Sequence, residues 1–171
     1  MRIGVGGIAK GHALDLAVAE LRRSGADSFT LTAGGQVYAA GTKEGRPWRI
    51  GVRDPRSAPE DFFAILEVSD LSVSTSGDYE RFFEQDGVRY HHILDPRTGW
   101  PAKGLRSATV VSADAALADA LSTAVMVLGK EEGLALIDRV PSAQALVVDH
   151  AGGVHRTRGL TGLTIVHPPH P

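Results

Sequence analysis

Apolar residues along the chain repeat with two periods, one typical of helices and one typical of strands. A first helix is predicted over 12–24, where apolar residues recur every three or four positions, and Gly25 is a suitable residue to end it. A second helix is predicted over 115–129, and a short third helix over 130–139, before Pro141. Strands are predicted where apolar and polar residues alternate, at 29–32, 37–39, 48–53, 64–68, 71–74, 108–112, 145–149, 154–157 and 163–166.

Short turns join most of these strands, which indicates antiparallel or mixed sheets rather than a regular alternation of strands and helices. The strands on either side of Ser69-Asp70 are expected to pair as a hairpin, followed by a polar loop that opens at Thr75. A second turn is expected at Gln85-Asp86-Gly87. The pattern shows no repeat and no linker. It predicts a single α+β domain over 4–166, with helices packed on a mostly antiparallel sheet, and a frayed tail over 167–171.

The predicted helix 115–129 contains a single ionisable residue, Asp119. Apolar residues occupy the rest of its surface, so the helix is expected to be buried, and Thr123 lies one turn from Asp119 on the same side. A buried carboxylate requires a cation, a metal ion or several hydrogen-bond donors. Carboxylate and hydroxyl oxygens suit Mg²⁺. An ion pair with a nearby Arg, or a cap on a backbone group, explains a buried Asp equally well, so both interpretations stay open.

Composition excludes several classes of function. The formal net charge is -2 and there is no basic stripe, which argues against nucleic acid as a partner. The chain has no cysteine, so disulfides, thiolate chemistry and cysteine-ligated metals are excluded. No apolar run is long enough to span a membrane, and the N-terminus shows no leader, which leaves the compartment open.

The segment 90–99, with the sequence YHHILDPRTG, is dense in reactive side chains. Asp-Pro followed by Thr-Gly favours a tight loop, and loops held on a rigid scaffold often carry function. Adjacent strand residues point to opposite faces, so at most one of His91 and His92 is expected at a site, and the two are poor partners for zinc. For such a pair taken alone, an exposed loop without chemistry is the more ordinary explanation.

Two further segments have two explanations each. The run GVGGIAKG at 4–11 leads into the first helix; its glycines allow close approach to the backbone, the helix start offers N–H groups, and Lys10 adds a positive charge. The run is not a Walker loop, because it lacks the ending of that motif. An anion or a diphosphate fits there, and a simple turn into a helix explains the run equally well. The segment TSGDYER at 75–81 suits either a polar ligand or a charged turn.

The motifs together, in sequence and in order, resemble the ApbE family. The chain has GGIAKG at 6–11, AGG at 33–35, WRIG with a following Asp-Pro at 48–55, TSGDYER at 75–81, HILDPRTG at 92–99 and ADALSTA at 118–124. Six motifs in one order are far more specific than any single one. The resemblance implies the fold of that family over about 4–159.

The resemblance also implies a reaction and a set of site residues. ApbE proteins are Mg²⁺-dependent FAD:protein FMN transferases, which split FAD at its diphosphate and join FMN through a phosphoester to a Thr or Ser hydroxyl of a target flavoprotein. By match to the family motifs, Asp119, Thr123 and the backbone carbonyl of Gly7 would ligate the metal. His92 would be the catalytic base. Cofactor contacts are implied at Lys10, Gly34, Gly35, Thr75, Ser76, Gly77, Tyr79, Arg81, Ile93 and Asp95.

Two departures from the family pattern open alternatives. The glycine motif usually begins with an aspartate where this chain has Gly4, and family members have a sizeable region before that motif, whereas this chain starts almost on it. A fragment, a mis-assigned start and a truncated relative are the explanations. The alternative functions are hydrolysis of FAD to FMN and AMP with Mg²⁺, and non-catalytic flavin binding. The expected partners are FAD and an acceptor flavoprotein; family members are often exported.

Overall fold

The structure is a computed structural model, and it describes residues 4–171 of the chain. The expectation that the N-terminus has no leader rests in part on the first three residues, which lie outside this range. The elements in chain order are α1 (Ala9–Arg23), β1 (Phe29–Ala33), β2 (Gln36–Ala40), β3 (Trp48–Arg53), β4 (Phe62–Val68), β5 (Leu71–Gly77), β6 (Phe82–Gln85), β7 (Val88–His91), β8 (Leu105–Ser112), α2 (Ala115–Ile137), β9 (Ala143–Asp149), β10 (Val154–Arg156) and β11 (Leu163–Ile165).

Two antiparallel sheets and the second helix form three layers. The main sheet has the order β1-β2-β5-β8-β9-β10, and a smaller sheet has the order β11-β4-β3. α2 packs on one face of the main sheet, in a core that includes Ala108, Val110, Leu121, Val125, Met126, Ala145 and Val147. The smaller sheet covers the other face, in a core that includes Val52, Phe63, Leu66, Val111, Leu146 and Val148. The predicted α+β fold with mostly antiparallel strands is confirmed.

Strand β8 lies at the centre of this arrangement. All eight of its residues are buried, because α2 covers one face and the smaller sheet covers the other. A strand covered on both faces shows a continuous run of apolar and small residues instead of clean alternation. The sequence LRSATVVS is typical of such a strand, and the Thr109 hydroxyl finds a partner on β5, with 2.9 Å between its Oγ1 and that of Thr75.

The two helices cross near their N-terminal ends. Gly11 of α1 allows this approach, because a Cβ atom at that position would overlap the backbone carbonyl of Ala115. The Asp15 carboxylate accepts hydrogen bonds from the backbone N–H groups of Ala115 and Ala116, both at 2.9 Å. α1 therefore caps the first turn of α2 and fixes the position of the helix that carries Asp119.

The helical predictions are confirmed with small changes. α1 begins earlier than predicted, at Ala9, and ends at Arg23; Gly25 follows at a φ of 89°, in the left-handed conformation that ends helices. The break predicted after position 129 is also present. Gly129 has a φ of 80° and a ψ of -175°, so α2 is kinked there, between the two segments that the sequence predicts as separate helices.

Two predictions around Ser69-Asp70 are wrong. Strands β4 and β5 do not pair with each other: β4 lies between β11 and β3, and β5 lies between β2 and β8. The turn, with Asp70 at a φ of 55°, carries the chain from the smaller sheet to the main sheet. The polar segment from Thr75 to Gly77 is the end of β5 and pairs with β8, so it is not a loop. Its hydroxyl groups find partners inside the fold, which is why a polar sequence is stable in a strand there.

The turn predicted at 85–87 is confirmed. It joins β6 and β7, which form a separate two-stranded sheet. Asp86 and Gly87 both have positive φ, as a two-residue hairpin loop requires. Among the described residues, no helix is long and apolar enough to cross a membrane.

The last residues of the chain make specific contacts. The sequence predicts a frayed tail over 167–171, whereas Asp54 Oδ2 accepts hydrogen bonds from both the backbone N–H and the Nδ1–H of His170, at 3.0 and 2.8 Å. Arg106 Nη1 donates to the carbonyl of His170 at 2.6 Å. The end of the chain thus lies against the turn that follows β3.

Candidate active site

A cleft of about 1000 Å³ opens where the start of α1, the end of β5 and the chain after β7 meet. Most of the residues that the family resemblance implicates line it, namely Gly7, Lys10, Gly34, Gly35, Thr75, Ser76, Gly77, Tyr79, Arg81, His92, Ile93 and Thr123. Asp119 lies behind Lys10 instead of in the wall. Asp95 lies outside the cleft. The fold therefore gathers residues from five separated motifs around one cavity.

Asp119 is held by α1. Its side chain is 1% exposed, and its Oδ1 lies 2.7 Å from Lys10 Nζ. Its Oδ2 accepts a hydrogen bond from the backbone N–H of Gly11 at 3.1 Å. A cation and a backbone donor thus compensate the buried carboxylate, in agreement with the ion-pair interpretation of the sequence, although the cation is a lysine and not an arginine. Lys10 is the link between Asp119 and the cleft.

Hydroxyl groups cluster beside this ion pair. Thr123 Oγ1 lies 3.3 Å from Ser76 Oγ, and Ser76 Oγ lies 2.9 Å from Ser122 Oγ. Thr123 also donates to the backbone carbonyl of Asp119 at 3.4 Å. Gly7 lies against the same hydroxyl, because a Cβ atom at position 7 would be 3.4 Å from Thr123 Oγ1. A hard cation such as Mg²⁺ fits this set of oxygen donors next to a buried carboxylate.

His92 and His91 point to opposite sides of the chain, as predicted. His92 is exposed and lines the cleft. His91 is buried; its Nε2–H donates to the carbonyl of Ala102 at 2.9 Å, and its Nδ1 accepts from the N–H of Ile93 at 3.3 Å. His91 therefore fastens the loop, and its neighbour is left to face the cavity.

Partial burial lowers the pKa of His92 below the ordinary value of an imidazole. The charge of Arg81 acts in the same direction, while the hydrogen bond with the Arg81 backbone and the charge of Glu80 oppose it. The backbone N–H of His92 donates to the carbonyl of Arg81 at 3.0 Å, which fixes the residue at the rim. A histidine with a lowered pKa is neutral near neutral pH and able to accept a proton.

One wall of the cleft contains an aromatic and charged group that sequence reasoning found only in part. The Arg53 guanidinium lies 4.5 Å from the centre of the Tyr79 ring and 3.5 Å from Glu80 Oε1. Burial raises the pKa of the Tyr79 hydroxyl, so it stays protonated. Gly77 makes room for the ring, which a Cβ at that position would overlap. Arg53 ends a predicted strand, and only its position directly before Asp54-Pro55 connects it with a motif.

Gly34 and Gly35 form the tight turn between β1 and β2, and both have positive φ. A Cβ at position 34 would come within 2.8 Å of Lys10 Cδ. The glycine therefore leaves room for the lysine side chain, whose ammonium group reaches Asp119. A side chain at position 34 would therefore displace the lysine and move its positive charge.

The loop after His92 is held by its own polar residues. Asp95 accepts hydrogen bonds from the backbone N–H and the guanidinium of Arg97, both at 2.9 Å. These bonds to Arg97 lower the pKa of Asp95. Both charged groups lie in the loop and outside the cleft. Asp95 shapes the segment that follows His92 and Ile93.

A second cavity of about 410 Å³ lies beside the β6–β7 hairpin. Arg56 and Asp78 form its best-defined contact, a two-point ion pair with distances of 2.8 and 2.7 Å. The hydrogen bonds to Asp78 raise the pKa of Arg56 above its ordinary value. The Asp78 carboxylate is buried, and Arg89 Nη1 approaches it at 3.5 Å. This ion pair joins the turn after β3 to the end of β5.

The fold and the cleft define an α+β protein of antiparallel sheets whose cavity suits an anionic ligand, with a lysine, oxygen donors and a neutral histidine at hand. A family model described as the ApbE family matches residues 1–147. The chain belongs to the ApbE family.

Relatives and solved structures agree with this assignment. The chain is 41% identical over 158 residues to the FAD:protein FMN transferase of Treponema pallidum, covering 86% of this chain and 44% of that protein. It is 42% identical over 132 residues to the FAD:protein FMN transferase of Rhodobacter capsulatus, covering 77% of this chain and 25% of that protein. The ApbE protein of Thermotoga maritima has a TM-score of 0.82 and 45% identity, with 92% of this chain and 52% of that chain covered.

The apo form of the flavinyl transferase ApbE of Pseudomonas stutzeri is also similar, with a TM-score of 0.78, 39% identity, and coverage of 94% of this chain and 52% of that one. The chain spans about half the length of these structures, and less than half the length of the two curated relatives. The shared fold and family are therefore established for the matched part, and the activity of the whole relatives is a proposal for this chain.

Proposed function

We propose that the cleft is the site of Mg²⁺-dependent transfer of FMN from FAD to a Thr or Ser hydroxyl of an acceptor flavoprotein. The observation that carries the proposal is the meeting of Lys10, Thr123 and His92 at one cavity, although they lie far apart in the chain. Membership of the ApbE family and relatives named FAD:protein FMN transferase support the flavin chemistry.

Asp119, Thr123 and the backbone carbonyl of Gly7 would hold the metal. All three supply oxygen, the donor that Mg²⁺ prefers. The fit is supported by the position of the Thr123 hydroxyl against Gly7 and by the buried carboxylate one turn away. When bound, Mg²⁺ would neutralise negative charge on the diphosphate of FAD. The ammonium group of Lys10 would bind the same diphosphate.

His92 would accept the proton of the acceptor hydroxyl. The hydroxyl oxygen forms a bond to the phosphorus of the FMN half, the anhydride bond breaks, and AMP departs with the bonding electron pair. The hydroxyl proton passes to the imidazole, which the lowered pKa of His92 keeps neutral beforehand.

The remaining walls would contact FAD. This role falls to Gly34, Gly35, Thr75, Ser76, Gly77, Tyr79, Arg81 and Ile93, all of which line the cleft. Arg53 is added to this set, since its guanidinium lies on the Tyr79 ring and is held in place by Glu80. Asp95 would act through the shape of its loop, because it lies outside the cavity.

The test is to incubate the chain with FAD, Mg²⁺ and a peptide that carries a Thr acceptor, and to look by mass spectrometry for the addition of an FMN group to the peptide. A matched peptide with Val at the acceptor position is the control. We expect the adduct on the Thr peptide alone. Release of FMN and AMP without an adduct would replace transfer by hydrolysis. FAD binding without any product would leave a flavin-binding protein.

A further inference from the structure

A second cluster of metal-ligating side chains lies away from the cleft. Asp54, His167 and His170 each offer one ligand atom, and these atoms all lie within 4.8 Å of one another. Among residues 4–171, no other group of three such side chains has its ligand atoms this close together. Asp54 follows β3 and the two histidines lie at the end of the chain, so the cluster is made by folding and not by sequence neighbours.

The backbone holds both histidines in place. The N–H groups of Val166 and His167 donate to the carbonyl of Phe63, at 2.8 and 3.3 Å. At the other end, the N–H of His170 donates to Asp54 and its carbonyl accepts from Arg106. Two prolines, of which Pro169 is buried, separate the histidines in the chain, and the ring of each proline fixes its own φ angle. A backbone fixed in this way loses little entropy when the side chains bind a metal.

Asp54 is suited to a metal as a charged ligand. Its side chain is fully buried, and its Oδ2 accepts hydrogen bonds from the backbone N–H and from the ring of His170. Its Oδ1 accepts one hydrogen bond, from the N–H of Arg56 at 2.9 Å. A carboxylate offers about four lone-pair positions, so capacity for a further ligand bond remains.

We propose that Asp54, His167 and His170 form a binding site for a divalent transition metal, with Zn²⁺ as the metal that suits two imidazole nitrogens and one carboxylate oxygen. The metal takes the place of the proton that His170 Nδ1 now donates to Asp54 Oδ2 across 2.8 Å. The ring then binds the metal as a neutral imidazole that carries its single proton on Nε2. Two bonds of zinc length at a tetrahedral angle place their ligand atoms ~3.3 Å apart. The exposed His170 ring would therefore move away from Asp54 by roughly 0.5 Å from its present 2.8 Å.

This site is independent of the proposed flavin chemistry. It uses nitrogen ligands, which Mg²⁺ disfavours, and it shares no residue with the cleft. Bound zinc would fasten residues 167–170 to the turn after β3. That turn separates Arg53, which lines the cleft, from Arg56, which pairs with Asp78.

The test is titration of the chain with ZnCl₂ in competition with a chromophoric chelator, in the absence of flavin. We expect one equivalent to bind to the wild-type chain, and the affinity to fall more than about 10-fold in each of His167→Ala, His170→Ala and Asp54→Asn. Asn keeps the shape of Asp54, His170 is exposed and His167 is half-buried, and the far-UV circular dichroism of each variant should match that of the wild type. Excess MgCl₂ should not displace the zinc.

His155→Gln is the matched control. His155 Nε2 lies 2.7 Å from Asp149 Oδ2, so it forms an equally close histidine–aspartate pair, and within residues 4–171 no second histidine joins it in a group of three. This variant should bind zinc like the wild type. No stoichiometric binding, unchanged affinity in the three variants, or equal loss in His155→Gln would overturn the proposal.

Discussion

Lys10 Nζ and Asp119 Oδ1 lie 2.7 Å apart, although 109 positions separate the two residues in the chain. The contact joins the first turn of α1 to the buried side of α2 and brings the lysine to the edge of the cleft. An exposed cation thus compensates a carboxylate that is 1% exposed. If Mg²⁺ binds to the carboxylate, the metal and the ammonium group share one charge partner, and this relationship can be measured.

Replacement of Lys10 by Met should destabilise the metal-free protein. The variant keeps the aliphatic packing of the side chain but removes the ammonium group. Of the two donors from α1, the Asp119 carboxylate then keeps only the backbone N–H of Gly11. Loss of one partner of a fully buried pair costs about 3–5 kcal/mol. Because the lysine side chain is 37% exposed, we expect about 2 kcal/mol, measured as the free energy of unfolding in urea with EDTA.

Addition of Mg²⁺ should recover part of this loss, since the metal supplies the missing positive charge. The control is Arg97→Met, which breaks the exposed pair with Asp95 and should lower the free energy of unfolding less than Lys10→Met does. An equal difference between wild type and Lys10→Met with and without Mg²⁺ would contradict the role of Asp119 as a metal ligand.

Replacement of Gly11 by Ala should be one of the most damaging small substitutions in the chain. The added Cβ would overlap the carbonyl of Ala115, and backbone atoms of α2 cannot turn aside as a side chain can. We expect a loss of about 3 kcal/mol in the free energy of unfolding. Gly4→Ala is the control, because nothing lies within 4 Å of a Cβ at position 4. A small cost at position 11 would show that the two helices separate easily.

The fold was predictable from sequence where the signal is local. The kink at Gly129 and the turn at Asp86-Gly87 depend on glycines and on apolar periods within a few residues. The pairing of β4 was not predictable, because both β4 and β5 are alternating strands next to a two-residue turn, and a hairpin is the default for such a pattern. Their separation into two sheets depends on partners such as β8 and β11, which lie far along the chain.

The candidate site shows the same division. The opposite orientation of His91 and His92 follows from the alternation of a strand, and the structure confirms it. The partner of Asp119 could not be chosen from the sequence, because several cations were available and the crossing of α1 on α2 decides between them. The group Asp54, His167 and His170 is likewise invisible in sequence, since it depends on where the last residues are anchored.

The ion pair between Arg56 and Asp78 should stabilise the fold through burial of the carboxylate. Arg56→Met removes two hydrogen bonds of 2.8 and 2.7 Å, and Arg89 at 3.5 Å compensates the remaining charge only in part. We expect a loss of about 3 kcal/mol in the free energy of unfolding. Arg56→Met in combination with Asp78→Leu should lose less than the single variant, because no buried charge is left without its partner. If the double variant lost as much free energy of unfolding as the two single variants together, the two charges would act independently.

His92 should set the acidic limb of the pH dependence of FMN transfer. A base must be neutral to accept the hydroxyl proton, so the rate should rise with pH through the pKa of His92 and be constant above it. Because desolvation disfavours the imidazolium form, the midpoint should lie below the ordinary value of 6.5. His92→Ala should lower the rate by more than about 100-fold and remove this midpoint. It should keep the stabilisation by Mg²⁺, since a base is not a metal ligand.

His12→Ala, at an exposed position of α1, should leave both the rate and the midpoint unchanged. A rate that falls as the pH rises through this range, or a normal rate in His92→Ala, would assign the proton transfer to another group.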